Sequence, residues 1–510
     1  MTAEFGWLTL QNAVAASREA VPDWDADLFR RAILSQTSAG WQVVALFGHL
    51  PEREAAVELY VILADHEGGH LHAAKTRVAD GAFPSLTPDC PQVHLFEREI
   101  AEQFGVRPEG HPWLKPLRFV KSQRPGHDAW NRSEDEEPQV GVIEFYRVEG
   151  DEVHEVAVGP IHAGVIEPGH FRFQCHGEQV FHLEISLGYQ HRGVERALLG
   201  GPDKRTIHYM ETLAGDTTIG HATAYCQAVE ALAGCRVPPR AQVLRGVALE
   251  LERLANHTGD LGALAGDVGF LPTASYCGRL RGDFLNLSAS LCGSRFGRGL
   301  VRPGGVAFDV EVARGTTLLT NLENAMRDVT NAVNLLWDSP SVMGRFEDTG
   351  TLSLEIVEQL GLVGPAARAC GADRDIRHDF PAGIFRFSHI PVSKAGSGDV
   401  FARAYVRWLE IQRSAEFVRE QLQMLVGGAA RTAVPDLAAD RLVVSLVEGW
   451  RGRISHVALT DGRGRFARYK VVDPSFHNWM GLAMALRNQQ ISDFPLCNKS
   501  FNLSYCGHDL

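Results

Sequence analysis

The sequence of 510 residues holds no C-x-x-C pair. Its nine cysteines, Cys90, Cys175, Cys226, Cys235, Cys277, Cys292, Cys370, Cys497 and Cys506, are odd in number and scattered. That spacing excludes the usual zinc or iron–sulfur knuckle. The cysteines read as reduced, mostly buried thiols of a cytoplasmic protein. No run reaches the roughly 18 apolar residues needed to span a bilayer, so any membrane association goes through partners. The N-terminus MTAEFGWLTLQNAVAASREA lacks a basic stretch ahead of its apolar part and is a poor secretion signal. Basic excess is absent too. A formal net charge of -12 argues against a general nucleic-acid binder. There is no internal repeat and no low-complexity tract. What remains, 45% hydrophobic and 22% charged residues, is an ordinary globular composition, long enough for two or more domains.

The patterning predicts an α+β chain in two parts. Residues 1–120 read as a small mixed α/β domain. The runs 40–48 and 56–64 are short and rich in β-branched and aromatic residues, and read as two strands joined by a Pro51-Glu-Arg-Glu turn. A helix is expected over about 95–104. Residues 121–139 are polar, charged and interrupted by Pro125 and Pro138, the composition of a linker. Few contacts are expected to cross such a boundary. Residues 140–510 read as mainly helical with short strands at both ends. Leu244, Val247, Leu251, Leu254, Leu261 and Leu264 recur at helical spacing, as do the apolar residues of 401–425. Such stripes are how helices bury themselves. Near the end, 442–448 and 453–459 read as a strand pair across a Gly-Trp-Arg-Gly turn.

Several motifs in order along the chain carry a family resemblance. Phe96-Glu-Arg-Glu followed by Gly110-His-Pro resembles the signature of the thirty-kilodalton-type subunit of respiratory complex I. Gly159-Pro-Ile-His, Ile166-Glu-Pro-Gly-His, Gly188-Tyr-Gln-His-Arg-Gly, Gly293-Ser-Arg-Phe-Gly-Arg-Gly, Gly398-Asp-Val-Phe-Ala-Arg and Asp473-Pro-Ser-Phe-His-Asn-Trp479 resemble the quinone-site subunit of complex I. They resemble more closely the large subunits of energy-converting, formate hydrogenlyase-type nickel–iron hydrogenases. Glu211-Thr-Leu-Ala-Gly-Asp-Thr-Thr-Ile-Gly-His221 and the tail 498–510 match the two segments that hold the metals in those hydrogenases. There each segment carries a C-x-x-C pair. Here the positions are Ala214 and Thr217, then Ser504 and Gly507, with Cys506 one place out of register. Soft metals need thiolate donors.

The resemblance implies site residues. The hydrogenase proton-passing glutamate matches Glu167. The arginine of an E-A-P-R-G segment matches Arg451, with Trp450 in place of the proline. The histidine closing the first metal segment matches His221. In complex I a histidine of the loop matching 159–170 meets the quinone head group, which leaves His162 and His170 both open. The complex I tyrosine that also meets quinone falls on Gly215. Asp216, between two lost cysteine positions, joins Thr217, Thr218 and His221 in a polar lining. Each has a plainer role: Glu167 a solvated carboxylate, Arg451 a surface residue of a hairpin, Asp216 a helix cap. His191-Arg192-Gly193 is as well explained by packing as by function. Cys497 and Cys506 alone do not hold a nickel–iron site.

By that resemblance the chain is a peripheral-arm oxidoreductase subunit on the cytoplasmic face of the inner membrane, binding no metal or cofactor of its own. Its expected partners are a small iron–sulfur subunit and antiporter-like membrane subunits. Quinone is the first candidate acceptor, ion translocation the coupled process, and NAD binding an association of the wider family. The alternatives are a catalytically silent coupling element of the same assembly and a true formate hydrogenlyase hydrogenase, against which the missing thiolates speak.

Overall fold

The computed structural model describes residues 5–51 and 56–510. The fold is α+β. Helix α1 (Ala26–Ser38) starts at Asp25, whose carboxylate accepts the Leu28 N–H. It leads into an antiparallel meander of β1 (Gln42–His49), β2 (Val57–Asp65) and β3 (His70–Val78), with Val43 opposite Leu63 and Val57 opposite Val78. These are the strands expected at 40–48 and 56–64. Of the turn expected between them, residues 52–54 lie outside the described residues. Both faces of β1 and β2 are covered, so the stretches 43–47 and 59–64 are continuously apolar rather than alternating. Helix α2 (His94–Phe104) packs on β1.

After the polar stretch, β4 (Val153–Val158), β5 (His170–His176) and β6 (Gln179–Ser186) form an antiparallel sheet with β5 in the middle. The helical body follows: α3 (Thr218–Leu232), α4 (Pro239–Asp267), α5 (Leu271–Cys292), α6 (Val312–Trp337) and α7 (Val400–Gln423). α4 is buried nearly all round because α5 and α7 flank it. The chain closes with strands β7 (Arg441–Gly449), β8 (Gly452–Thr460) and β9 (Phe466–Val472), then helices α8 (Pro474–Ala485), α9 (Phe494–Phe501) and α10 (Tyr505–Asp509). Among the described residues no helix is long and apolar enough to cross a membrane.

The expectation that few contacts join the two parts is corrected. Ala16–Ser17 adds a strand to β7, so the start and end of the chain share one sheet. Val444, Val457 and Phe476 belong to the same apolar core as Val61 and Phe96. Lys470 Nζ lies 2.7 Å from a Glu99 carboxylate oxygen, and Arg118 donates to the His508 carbonyl at 2.9 Å. The linker is also tied down: the Gln123 N–H donates to the Gln103 carbonyl at 2.7 Å, and Ala129 is buried. The reason is area. The C-terminal sheet has a second apolar face, and the N-terminal layer is what covers it.

Candidate functional site

The site is built where the turn before α3, the β7–β8 turn and the C-terminal segment meet. The β7–β8 turn pairs Gly449 with Gly452, and Gly452 takes a φ of +128°, which a side chain would strain. That conformation turns Trp450 and Arg451 inward, and both are buried. The hairpin-surface role for Arg451 is therefore wrong. Its guanidinium grips Asp216 with both ends, Nη1 to Oδ1 at 2.6 Å and Nη2 to Oδ2 at 2.8 Å. Nε donates to the Asn502 carbonyl at 2.5 Å, and the guanidinium stacks 3.9 Å over the Trp450 ring. Asp216 holds Arg451 firmly in its charged form although burial works against it.

Thr217, at a lost thiolate position, is occupied too. Its hydroxyl donates to Asp216 Oδ1 at 3.0 Å and accepts from the Trp450 indole at 3.1 Å. Neither Asp216 nor Thr217 caps α3 with its side chain, which corrects the capping role for Asp216. The free N–H groups of that helix go instead to Glu252 of α4, which accepts from Ile219 at 2.7 Å and Gly220 at 3.1 Å. Burial pushes the Glu252 carboxyl up to about 8 despite those two donors.

His221 lies one turn into α3, fully buried. Its Nε2 is 3.0 Å from Asp473 Oδ2 and its Nδ1 is 3.1 Å from His456 Nε2. His456 Nδ1 in turn is 2.9 Å from the Tyr469 hydroxyl. Burial, then the neighbouring His221, drives His456 well below the ordinary histidine range. Sequence reasoning missed this Asp473–His221–His456–Tyr469 chain, although Asp473 sits in one of the family-like runs.

The C-terminal segment closes the opposite wall. The Ser504 hydroxyl accepts the Gly507 N–H at 2.9 Å, and a Cβ on Gly507 would lie 2.7 Å from the Asp473 carboxylate carbon. Glu167 Oε2 accepts the Tyr505 N–H at 3.2 Å. Burial first, then the carboxylate of Glu167, pushes the Cys506 thiol up to about 12. His162 Nε2 is 3.4 Å from the Tyr505 hydroxyl, on a loop that exposes Ile161 and Val165. His170 is buried at the start of β5, where its Nε2 accepts from Arg172 at 3.2 Å. Asp216 and Arg451 thus meet directly. Glu167 and His162 meet the same tail at Tyr505, His221 lies beneath Gly507 through Asp473, and His170 stands apart.

Behind Asp216 a cavity of about 360 Å³ is lined by Asn256, Asp260, Arg281 and Lys499. Deeper still is a buried ionic net. His257 Nε2 is 2.8 Å from Glu410, and Arg253 bonds Glu410 and Glu250, each at 3.0 Å. Arg368 bonds Glu410 and, at 2.7 Å, Glu448. Although burial opposes it, Arg368 and Arg253 hold Glu410 well below the usual carboxylate range.

Residues 31–130 match the family of the 30 Kd subunit of respiratory-chain NADH dehydrogenase, and residues 267–441 that of its 49 Kd subunit. A carbon monoxide-induced hydrogenase of Rhodospirillum rubrum is 31% identical over 353 residues, 68% of this chain and 97% of its own length. Formate hydrogenlyase subunit 5 of Escherichia coli is 29% identical over 441 residues, 83% of this chain and 76% of its own. NADH-quinone oxidoreductase subunit 4 of Thermus thermophilus is 29% identical over 369 residues, 67% and 90% of the two chains.

Proposed function

The chain belongs to the family that unites the 49-kDa-type subunits of complex I with the large subunits of energy-converting hydrogenases, fused here to a 30-kDa-type domain, and on that premise we propose that it is a peripheral-arm oxidoreductase subunit working without a nickel–iron centre. It takes electrons from an iron–sulfur cluster in a small partner subunit and passes them to a quinone-like acceptor. That transfer is coupled to ion movement through antiporter-like membrane subunits, with the chain on the cytoplasmic face. The division of the chain into two parts at about 121–139 is part of the same reading.

The observation that carries the reading is the donor set. Of the four positions where the family places thiolates, Ala214 and Gly507 have no donor atom. The hydroxyl of Thr217 is committed to Asp216 and Trp450, and that of Ser504 to the Gly507 N–H. The residues present do not fit a nickel–iron group. His162 and the Tyr505 hydroxyl offer two polar atoms side by side to a head group, and the exposed Ile161 and Val165 an apolar approach. Glu167, joined to the same segment, is placed to exchange a proton with it.

A second reading is favoured by the way Trp450 and the Asp216–Arg451 pair fill the pocket: the subunit transmits conformational change and does no chemistry. The purified assembly decides between them. Quinone-dependent turnover with no stoichiometric nickel, impaired by Glu167→Gln in a folded complex, is the expected result. Turnover absent with every acceptor selects the silent subunit, and one nickel per chain overturns both.

A further inference from the structure

A second cavity, lined by none of Glu167, Asp216 and Arg451, lies in the seam between the two apolar cores. Leu95 and Leu117 on one wall belong to the N-terminal core, while Leu183, Leu187 and Trp479 on the other belong to the main core. Three elements aim side chains into it by simple spacing. His94 and Arg98 are four apart on α2 and share a face. Met480 and Met484 do the same on α8, with Arg487 just beyond its end. His182 and Glu184, two apart, point from one face of β6. The volume is about 330 Å³, the size of a small-molecule site, and most of the wall is aliphatic, aromatic or thioether.

The charges in this seam do not balance. Among the described residues Glu184 is the one carboxylate lining the cavity, and it is already used. It bonds Lys115, takes the Trp113 indole N–H at 3.3 Å and accepts the Tyr146 N–H at 2.8 Å. Arg98 donates to two neutral carbonyls, that of Lys115 through Nε at 2.9 Å and that of Pro116 through Nη2 at 2.8 Å. Among the described residues its Nη1 has no acceptor and no carboxylate lies within ion-pair distance. Arg487, exposed at the mouth, has no ion pair among them either. Burial lowers Arg98 to about 10, with Glu102 and Glu184 only partly offsetting it. A half-buried guanidinium with one free edge, facing an apolar chamber, is a seat for an anion that carries its own hydrocarbon.

We propose that this seam cavity binds a small amphipathic carboxylate, its head group on the free edge of Arg98 and its hydrocarbon body between Trp479, Met484 and Leu95. Met480 and Met484 suit a flexible aliphatic body, because thioether side chains repack around irregular shapes. The cavity has no lining residue in common with the acceptor site at His162 and Tyr505.

Calorimetric titration of the full chain with decanoate, 1-decanol and decyltrimethylammonium, each below its micelle threshold, tests this. Decanoate should bind saturably at one per chain, about tenfold or more tighter than the alcohol, since a charge-assisted pair is worth that much. The cation should not bind. Arg98→Gln should erase the preference for decanoate over decanol. Met484→Trp, from a half-buried wall position, should fill the chamber and abolish both. If Arg98→Gln fails to fold, Arg487→Gln should still weaken decanoate and leave decanol unchanged. Equal affinity for acid and alcohol overturns the anion seat. Binding of neither, or binding untouched by Met484→Trp, overturns the site.

Discussion

Arg451 closes on Asp216 through two parallel hydrogen bonds, and the pair stands beside the positions where the family's large subunits place metal thiolates. The geometry is a fork on a carboxylate, with the guanidinium flattened against Trp450. Trp450, the residue in place of the family's proline, is what makes it possible. Its indole bonds Thr217 and its face carries Arg451, so this one residue links a lost thiolate position to the matched arginine.

Removing one partner should be costly. Asp216→Ala leaves a guanidinium buried without its counter-charge, at about 2–3 kcal/mol. The figure lies below the usual range of about 3–5 kcal/mol because the Asp216 side chain is 31% exposed. Arg451→Lys keeps the charge and loses the fork, so it should cost less in stability. Urea unfolding of both variants and the double mutant gives the coupling energy directly. A coupling near zero would mean that the pair is only a contact of two solvated groups.

Restoring cysteines alone should not rebuild a metal site. At Gly507 even a methyl group meets Asp473, which is held by His221 and by the Ser475 N–H at 2.8 Å. Gly507→Ala should therefore lose about 1–3 kcal/mol from overpacking. Ala214→Cys, Thr217→Cys, Ser504→Cys and Gly507→Cys together should yield a less stable chain with no bound nickel after co-expression with maturation factors. Elemental analysis and thermal melts check both halves.

Much of the scaffold was legible because it is written in local period. The continuous runs at 40–48 and 56–64, the leucines of 244–264 and the stripe of 401–425 name their own elements. The site was legible only in part. Glu167, Asp216, His221 and Arg451 emerged from motif register, but their partners did not. The bonds of Arg451 to Asp216 and of His221 to His456 each span 235 residues, and no spacing rule reaches that far. Tyr505 carries no mark of its own in the sequence, because the motif register around it speaks only of the missing cysteines on either side. The shared core was hidden for a different reason. A strand buried on both faces reveals that something covers it, not which segment does.

Glu252 should make stability fall as pH rises. Its folded value, near 8, is above its ordinary 4.5, so between those limits the folded chain binds more protons than the unfolded one. The contribution is fully present below about pH 4.5 and is lost on the way to pH 8, on the order of a few kcal/mol. Glu252→Gln keeps the shape and cannot ionise, so it should flatten that slope. Urea midpoints measured between pH 5 and 8 for the two proteins provide the comparison.

Glu410 anchors the buried net under the site. It answers Arg253, Arg368 and His257 at once, and the carboxylate and both guanidinium groups are almost fully buried. Glu410→Leu should destabilise by about 3–5 kcal/mol, because two arginines remain in a low dielectric with less counter-charge. The loss should appear as a shift in the denaturant midpoint with little change in slope. A shift below about 1 kcal/mol would show that water enters the net and solvates it.

Cys506 offers a chemical reading of the Glu167 end of the pocket. Its thiol is only partly shielded, yet burial and then the adjacent carboxylate of Glu167 raise it to about 12. The reactive species is the thiolate, so alkylation at pH 8 should be far slower than for a free cysteine. Glu167→Gln removes the negative charge and leaves an amide of the same size that can still accept the Tyr505 N–H. The thiolate is then less disfavoured, the pKa falls, and the alkylation rate of Cys506 should rise several-fold. Mass spectrometry of peptide 500–510 after timed iodoacetamide treatment reads that rate, with buried Cys497 as an internal control expected to stay unreactive in both proteins. If Glu167→Gln accelerates Cys506 and leaves Cys497 silent, the carboxylate faces the tail as the hydrogen bond to Tyr505 implies. If the two rates are the same, Glu167 points away from the tail, and its role as the proton-exchanging group beside His162 and Tyr505 fails with it.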